Sequence, residues 1–265
     1  MFPISSQARA TTCSAVSAWQ VVEHRQKQAA EQWLLITQAD HAVLAGDLAA
    51  KIDHPSFPRL STDVLSAISL HDAGWAHFDG ALRKENSNSS AISPKTHTGR
   101  PVSFLDTPPV DFLSAWTQSI TAAEQTGALG ASMVSEHFCR LARTRLQSRS
   151  DDHENTARLE SFLRSEMERQ GRLLDTENVP LERLRLLTDV LQFCDLLSLY
   201  LCCGADEPVE FPQEIGGTRV RLNKHGEVLE FIPAIFGAGT SLGVAAHQYP
   251  SHGSEQVKVL AFLLA

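Results

Sequence analysis

The chain has 265 residues, 43% of them hydrophobic, which is enough to build one sizeable core. It carries 31 acidic and 23 basic residues, so its formal net charge of -8 would repel a nucleic-acid duplex. Five cysteines without a CxxC pair indicate neither a zinc knuckle nor a disulfide framework. We therefore expect a single cytoplasmic domain over residues 1–265 that binds neither duplex nor membrane, and the oligomeric state is left open.

The N-terminal part predicts strands followed by a helix. Residues 16–23 and 33–37 are short apolar runs of the kind found in strands. The sequence TQAD at 37–40 has the form of a capping box, and apolar residues then recur at helical spacing as far as Lys51. This pattern predicts a first helix that begins near residue 37.

A second helix and a long polar loop follow. The helix is expected to begin near Ser61 or Thr62 and to end at Gly74 as a left-handed cap. Residues 85–110 are rich in Ser, Asn and Pro, and their apolar residues follow neither a helical nor a strand period. A loop of this length is expected to be mobile and to border the entrance of a site.

The rest of the chain predicts four more helices and a β-rich tail. The helices are expected over 111–125, 128–147, about 156–174 and 180–203. Beyond 205, short apolar runs alternate with turn signals up to residue 265, which is typical of strands. The fold class is therefore mainly α, with a helical core at about 37–204 and a small sheet of N- and C-terminal strands.

Four ionisable residues fall on the apolar stripes of these helices. His41 extends the buried face of the first helix, and His71 and Asp72 each stand seven positions after an apolar residue of the second. Asp195 has a leucine four positions away on either side. Two imidazoles and two carboxylates that point into a core favour a divalent metal ion, because a buried carboxylate needs a cation.

Two explanations of these residues without a metal ion remain open at this point. A single buried histidine is most often a satisfied core residue. Asp195 also has Arg183 and Arg185 earlier in the same helix, and either could neutralise it in an ordinary ion pair. These arginines lie nearly three turns away, which favours the metal.

The order of these residues resembles a known superfamily. A histidine, a His-Asp pair 30 positions later and a distant aspartate in a hydrophobic helix are similar to the HD-domain metal-dependent phosphohydrolases. The segments TQADHAVLAGDLA, SLHDAGWAHFD with TGRPVSF after it, and QFCDLLSLYLC resemble more closely an uncharacterised branch of that superfamily, over about residues 30–204. The resemblance implies an HD-like core in which His41, His71, Asp72 and Asp195 bind the metal.

The same resemblance implies an activity. One divalent ion per chain, Mn, Fe, Ni or Zn, would activate a water that hydrolyses a small-molecule phosphate ester or nucleotide. His137 lies on an inward helical stripe and is expected to position or protonate the leaving oxygen, although a core imidazole or a further ligand is equally compatible. Lys95 and Arg100 in the long loop are candidates to bind the phosphate, and Trp75 and Phe104 to stack on a base.

Two other classes of function stay open. Some HD-like ligand sets hold two irons that activate dioxygen, which requires further histidines between the His-Asp pair and the last aspartate. His137 is the residue whose spacing would suit that role. The third class is a binding or regulatory protein in which the metal is structural.

Overall fold

The structure, a computed structural model, describes residues 33–79, 103–177, 179–249 and 257–265. The helices are α1 (Gln38–Lys51), α2 (Thr62–Ser69), α3 (Pro109–Ala123), α4 (Ala128–Ser148), α5 (His153–Glu177) and α6 (Leu181–Cys202). The strands are β1 (Trp33–Leu35), β2 (Val209–Ile215), β3 (Thr218–His225), β4 (Val228–Ile232), β5 (Thr240–Tyr249) and β6 (Val257–Leu264). The fold is therefore mainly helical but not all-α, and within these ranges no helix has the length and apolarity needed to cross a membrane.

Helix α1 begins where the sequence predicts. The Thr37 hydroxyl oxygen accepts the backbone N–H of Asp40 at 2.9 Å, and the hydroxyl donates to the Asp40 carboxylate at 2.6 Å. The apolar stripe of α1 is buried against α2, α6 and β5. This contact holds the first turn of α1 inside the core.

Helix α2 is shorter than predicted, because it ends at Ser69 and not at Gly74. The ring Nδ1–H of His71 donates to the Ile68 carbonyl at 2.7 Å, so a side chain occupies an acceptor that a continuing helix would need. Gly74 is not a left-handed cap; it lies in a 3₁₀ turn, Ala73–Trp75, packed on α3. His71 and Asp72 therefore lie in the turn after α2 and not on the helix.

The later helices agree closely with the sequence pattern. Gly127, with a φ of 93°, precedes α4, and Pro180 caps α6. Helix α3 begins two residues earlier than predicted, and α5 is longer at both ends. Helix α4 connects this layer, because it packs on α2, α3, α5 and α6.

The sheet has six strands in the order β1-β5-β6-β4-β3-β2, which is larger than the small sheet expected. All neighbours are antiparallel except β4 and β6. As predicted, strands from both ends of the chain meet, since Trp33 of β1 lies opposite Tyr249 of β5. The strand predicted over 16–23 lies outside the described residues.

Helices and sheet share one hydrophobic core. Phe193 of α6 packs edge-on against Phe211 of β2, with ring centroids 5.0 Å apart, and also against Phe57. Helix α6 therefore lies between the helical layer and the sheet. That position places Asp195, two residues after Phe193, deep in the molecule.

Candidate metal centre

Three separate parts of the chain bring four ionisable side chains together. His41 lies in α1, His71 and Asp72 in the turn after α2, and Asp195 in the middle of α6. Each of the four has 8% or less of its surface exposed. We call these four residues the His/Asp cluster.

The imidazole of His71 is fixed by its own turn. Because Nδ1–H donates to the Ile68 carbonyl, Nε2 points away from the helix and lies 3.3 Å from Oδ1 of Asp195. Nε2 is also 3.8 Å from Oδ2 of Asp72. Burial alone would lower the pKa of His71, but the charge of Asp72 and the hydrogen bond to Asp195 raise it to about 9.

Ser198 fixes His41 in the same way. The Ser198 hydroxyl donates to the backbone carbonyl of Asp195 at 2.8 Å, so its oxygen accepts Nδ1–H of His41 at 2.9 Å. Nε2 of His41 consequently faces Oδ2 of Asp72, at 2.9 Å. Both histidines thus use Nδ1 to anchor the ring and present Nε2 to a carboxylate.

This arrangement requires a positive charge between the groups. A neutral imidazole with its proton on Nδ1 has a lone pair on Nε2, and a lone pair facing a carboxylate is repulsive unless a proton or a metal ion lies between them. His71 and the other two nearby histidines lower the pKa of Asp195 to about 2 against the opposing effect of its burial. The carboxylate of Asp195 is therefore ionised at neutral pH.

The distances between these groups are compatible with a metal ion. Atoms of His41, His71 and Asp195 lie within 4.8 Å of one another, and the Asp72 oxygen lies 2.9 and 3.8 Å from the two imidazoles. Ligand atoms on one ion are about 3 to 4 Å apart, because each bond is about 2.0–2.2 Å long. This buried cluster could therefore hold a metal ion, with both ring orientations already set by protein acceptors.

A cavity of about 310 Å³ reaches the cluster at Asp72 and Asp195. Its walls are largely aromatic, and Trp116 stacks on Phe138 with ring centroids 5.0 Å apart. The aromatic lining residues are Trp75, Phe104, Phe112, Trp116 and Phe138. The cavity is therefore largely apolar, and it becomes polar where it meets the two carboxylates.

His137 lines the same cavity from α4. It is buried, its ring meets that of His71 edge-on with centroids 5.5 Å apart, and its Nε2 lies 3.8 Å from Oδ2 of Asp195. Its Nδ1 has no hydrogen-bond partner in the described part of the chain. Burial lowers the pKa of His137 to about 4 despite the nearby Asp195 charge. The imidazole is therefore neutral near pH 7.

The comparison with protein families gives one match. The model of the family described as "Protein of unknown function (DUF3891)" matches residues 25–259. The chain belongs to the DUF3891 family. The His/Asp cluster and the cavity both lie within the matched part of this DUF3891 chain. No curated protein and no solved structure matches it.

The structure of this DUF3891 protein brings some predicted site residues together and leaves others untested. His41, His71, Asp72, Asp195 and His137 meet at one place. Trp75 and Phe104 line the cavity beside them. Lys95 and Arg100 lie outside the described residues, as does most of the loop predicted over 85–110. The end of that loop was predicted wrongly, because residues 103–110 contain a 3₁₀ turn, Phe104–Asp106, and the start of α3. In the described ranges, neither Arg183 nor Arg185 pairs with Asp195.

Sequence reasoning missed several residues around the site. Ser198 could have been found, because it is a polar residue three positions after Asp195 on a helix that is otherwise apolar there. Ser119 of α3, whose hydroxyl accepts the Gly74 N–H at 2.9 Å, carries no such signal. Arg145 and Trp116 line the cavity through packing of α3 on α4, which no local pattern encodes.

Proposed function

We propose that this DUF3891 protein is a metal-dependent hydrolase of a small-molecule phosphate ester or nucleotide, with an HD-like ligand set. The observation that carries the proposal is a buried His₂Asp₂ cluster that opens into a cavity large enough for a small organic molecule. A structural metal needs no such cavity, since its ligands close the coordination sphere. The arrangement therefore favours an enzyme over a binding or regulatory protein.

The proposed ion is one divalent Mn, Fe, Ni or Zn per chain, held by His41, His71, Asp72 and Asp195. A mixture of imidazole and carboxylate donors suits these metals. When bound, the ion supplies an activated water and a positive charge for the non-bridging oxygens of the ester.

The surrounding residues supply the other requirements of hydrolysis. His137 is a neutral imidazole at the cavity wall, so it would position the leaving oxygen by a hydrogen bond from its one ring N–H, or relay a proton from water by accepting one on its other ring nitrogen as it gives one up. The ring faces of Trp75, Phe104 and Trp116 would bind a base or aryl group and exclude water from the reacting end.

A second candidate, a di-iron oxygenase, has one specific observation in its favour. Oδ1 of Asp195 faces His71 while Oδ2 faces His137, so Asp195 would be a ligand that a second ion could share. A second ion would have His137 and Asp195 as its ligands among the described residues near Asp195. Two ligands are few for an iron site, and we therefore rank the mononuclear hydrolase first.

Metal analysis combined with an activity screen tests these alternatives. The purified protein should contain one divalent ion per chain and hydrolyse aryl phosphates or nucleotides, with activity lost to a chelator and restored by the ion. Two irons per chain with dioxygen consumption would support the oxygenase. Full metal occupancy without turnover on any phosphate ester would contradict the hydrolase and indicate a structural metal.

A further inference from the structure

The cavity runs away from the His/Asp cluster along one face of α4. The α4 residues that line it are His137, Phe138, Leu141, Thr144, Arg145 and Ser148, which recur at the spacing of a single helical face. An α-helix rises about 1.5 Å per residue, so Arg145 lies about 12 Å along the axis from His137. The cavity therefore has two chemically different ends, one at the cluster and one at Arg145.

Arg145 is held rigidly at the second end. Its Nε and Nη2 donate to the two carboxylate oxygens of Asp151 at 2.7 and 2.8 Å. Its guanidinium carbon also lies 4.8 Å from the centre of the Phe112 ring. The Asp151 side chain is only 8% exposed, so the pair is sheltered from water on that side. An arginine fixed in this way can bind a ligand without first losing side-chain freedom.

Arg145 keeps unused hydrogen-bond donors. A guanidinium has five N–H groups, and the paired contact with Asp151 uses two of them. The described residues provide no other acceptor for the Arg145 side chain. The Nη1 edge is therefore left for a planar anion such as a carboxylate, which arginine binds through two parallel hydrogen bonds.

The neighbours of Arg145 are polar, whereas the middle of the cavity is apolar. Thr144, Ser148 and Ser150 line the Arg145 end, and Ser148 and Ser150 are exposed, so this end meets solvent. Phe112, Trp116 and Leu141 line the part between the two ends. A ligand that matches this lining is polar at both ends and flat and apolar between them.

We infer that Arg145 forms a binding site for a second anionic group of the substrate. This site lies about 12 Å along the α4 axis from His137, which marks the end of the cavity at the His/Asp cluster. The substrate class is then an elongated molecule with a phosphate ester at the His/Asp cluster, an aromatic or apolar body, and a carboxylate at Arg145. The identity of the ester end rests on the proposed function. The Arg145 site rests on its own contacts and does not require that function.

Two non-hydrolysable probes test the site by calorimetry on the metal-loaded protein. One is biphenyl-4-phosphonate and the other is the same molecule with a carboxylate at the opposite end. A charge-assisted paired hydrogen bond should make the carboxylated probe bind about tenfold to a hundredfold more tightly. Equal affinities for the two probes, or no binding of either, would overturn the inference without any variant being made.

Arginine variants identify the residue responsible. Arg145→Met keeps an apolar stem against Phe112 and should reduce the affinity ratio of the two probes to about one. Arg145→Lys keeps the charge but loses the planar guanidinium that donates two parallel hydrogen bonds, so the affinity ratio of the two probes should be intermediate. Arg143→Met is the matched control, because Arg143 lies two residues earlier on α4, pairs with Glu136 and does not line the cavity. An unchanged ratio in Arg145→Met, or an equal loss in Arg143→Met, would refute the assignment.

Hydrolysis of the matching biphenyl phosphates separates this inference from the proposed function. A preserved, Arg145-dependent affinity ratio without hydrolysis would support the anion site and give no support to the hydrolase, which absence of turnover on every phosphate ester tested would contradict. Hydrolysis of both phosphates with an affinity ratio near one would support the hydrolase and refute the anion site.

Discussion

Ser198 links the His41 ring to helix α6, since its hydroxyl oxygen accepts Nδ1–H of His41 and its proton is donated to the Asp195 backbone carbonyl. Its removal leaves His41 free to rotate or change tautomer. Partners of this kind typically affect metal affinity about tenfold to a hundredfold. Ser198→Ala should lower metal affinity by that factor while the fold is retained.

Competition with a metallochromic chelator measures this effect. Ser132→Ala is the control, because Ser132 is also a fully buried serine but its hydroxyl has no partner among the described residues. Equal metal affinities of the two variants would show that Ser198 does not orient His41.

The ligands themselves should be indispensable for metal binding. His71→Ala and Asp195→Ala should each lose the ion and also lower the free energy of unfolding by about 3–5 kcal/mol, because the remaining buried charge is left unpaired. Elemental analysis and urea unfolding check both effects. His225→Ala, at an exposed histidine, is the control, and full metal content in either ligand variant would refute the site.

His137 should differ from the four ligands. His137→Ala should keep near-normal metal content but lose about a hundredfold to ten-thousandfold in rate, which is the usual contribution of a group that positions or relays a proton. His137→Gln should lose less, because it keeps some hydrogen bonding. A rate loss below tenfold would indicate a packing role, and a metal-free alanine variant would make His137 a ligand and favour the dinuclear alternative.

At the scale of elements, the contact between the turn after α2 and helix α3 controls where Asp72 lies. A Cβ added at Gly74 would be 2.0 Å from the backbone oxygen of Ala115 and 2.7 Å from the backbone nitrogen of Ser119. Neither atom can move without moving α3. Gly74→Ala should therefore destabilise the protein by about 1–3 kcal/mol and weaken metal binding as the turn shifts.

Gly171 provides the matched control for this prediction. It lies within α5, where an added Cβ meets nothing within 4 Å. Gly171→Ala should stabilise the protein by about 0.5–1 kcal/mol, because alanine favours the helix. Thermal unfolding with and without metal distinguishes the two glycines, and a neutral Gly74→Ala would show that the turn can move away from α3.

The elements that the sequence predicted well are those whose apolar stripes and caps are local. Thr37 and Pro180 start α1 and α6 as expected, and both helices carry cluster residues. The predicted end of α2 was wrong because the His71 ring donates a hydrogen bond to the Ile68 carbonyl. This is a side-chain contact, and the spacing of apolar residues along the helix does not encode it. Strand β5 lies in the tail that the sequence predicts as β-structure, but no separate run marks it, because Gly243 at its centre lowers the strand propensity.

The features of the site also divide into those that a local pattern predicts and those that it does not. His41 and Asp195 lie on the apolar stripes of α1 and α6, as the sequence predicts, and both are buried. His71 and Asp72 are also buried, but the helical stripe on which they were predicted ends before them at Ser69. The cavity and its Arg145 end depend on how α3 packs on α4, and long-range packing of this kind leaves no periodic trace in one sequence. The Gly243 position in β5 is likewise set by a neighbour, since an added Cβ would lie 2.9 Å from a side-chain carbon of Val259.

At the scale of the whole molecule, metal binding and folding should be linked through pH. The pKa of His71 is about 9 in the folded protein, above its ordinary value of 6.5. A raised histidine pKa contributes stability that is complete below about 6.5 and is lost as the pH rises through about 9. The metal-free protein should therefore become less stable over this range.

The metal-loaded protein should lose less stability over the same range, because the ion takes the place of the His71 proton. Urea unfolding from neutral to alkaline pH, with a chelator or with excess metal, measures the difference. Other groups that titrate there affect both forms, so the difference between the two curves is the informative quantity. Parallel curves would contradict the link.

The anchoring of both imidazoles through Nδ1 also has a spectroscopic consequence. Each of these ring protons is held in a buried hydrogen bond, on His41 to Ser198 and on His71 to Ile68. They should give resolved downfield imidazole proton resonances, whereas freely exchanging imidazole protons are lost to water. Because the two rings join α1, the turn after α2 and α6, their hydrogen exchange should occur only when these parts separate. Two histidine signals would then report the opening of the whole core, without a substrate or a single mutation.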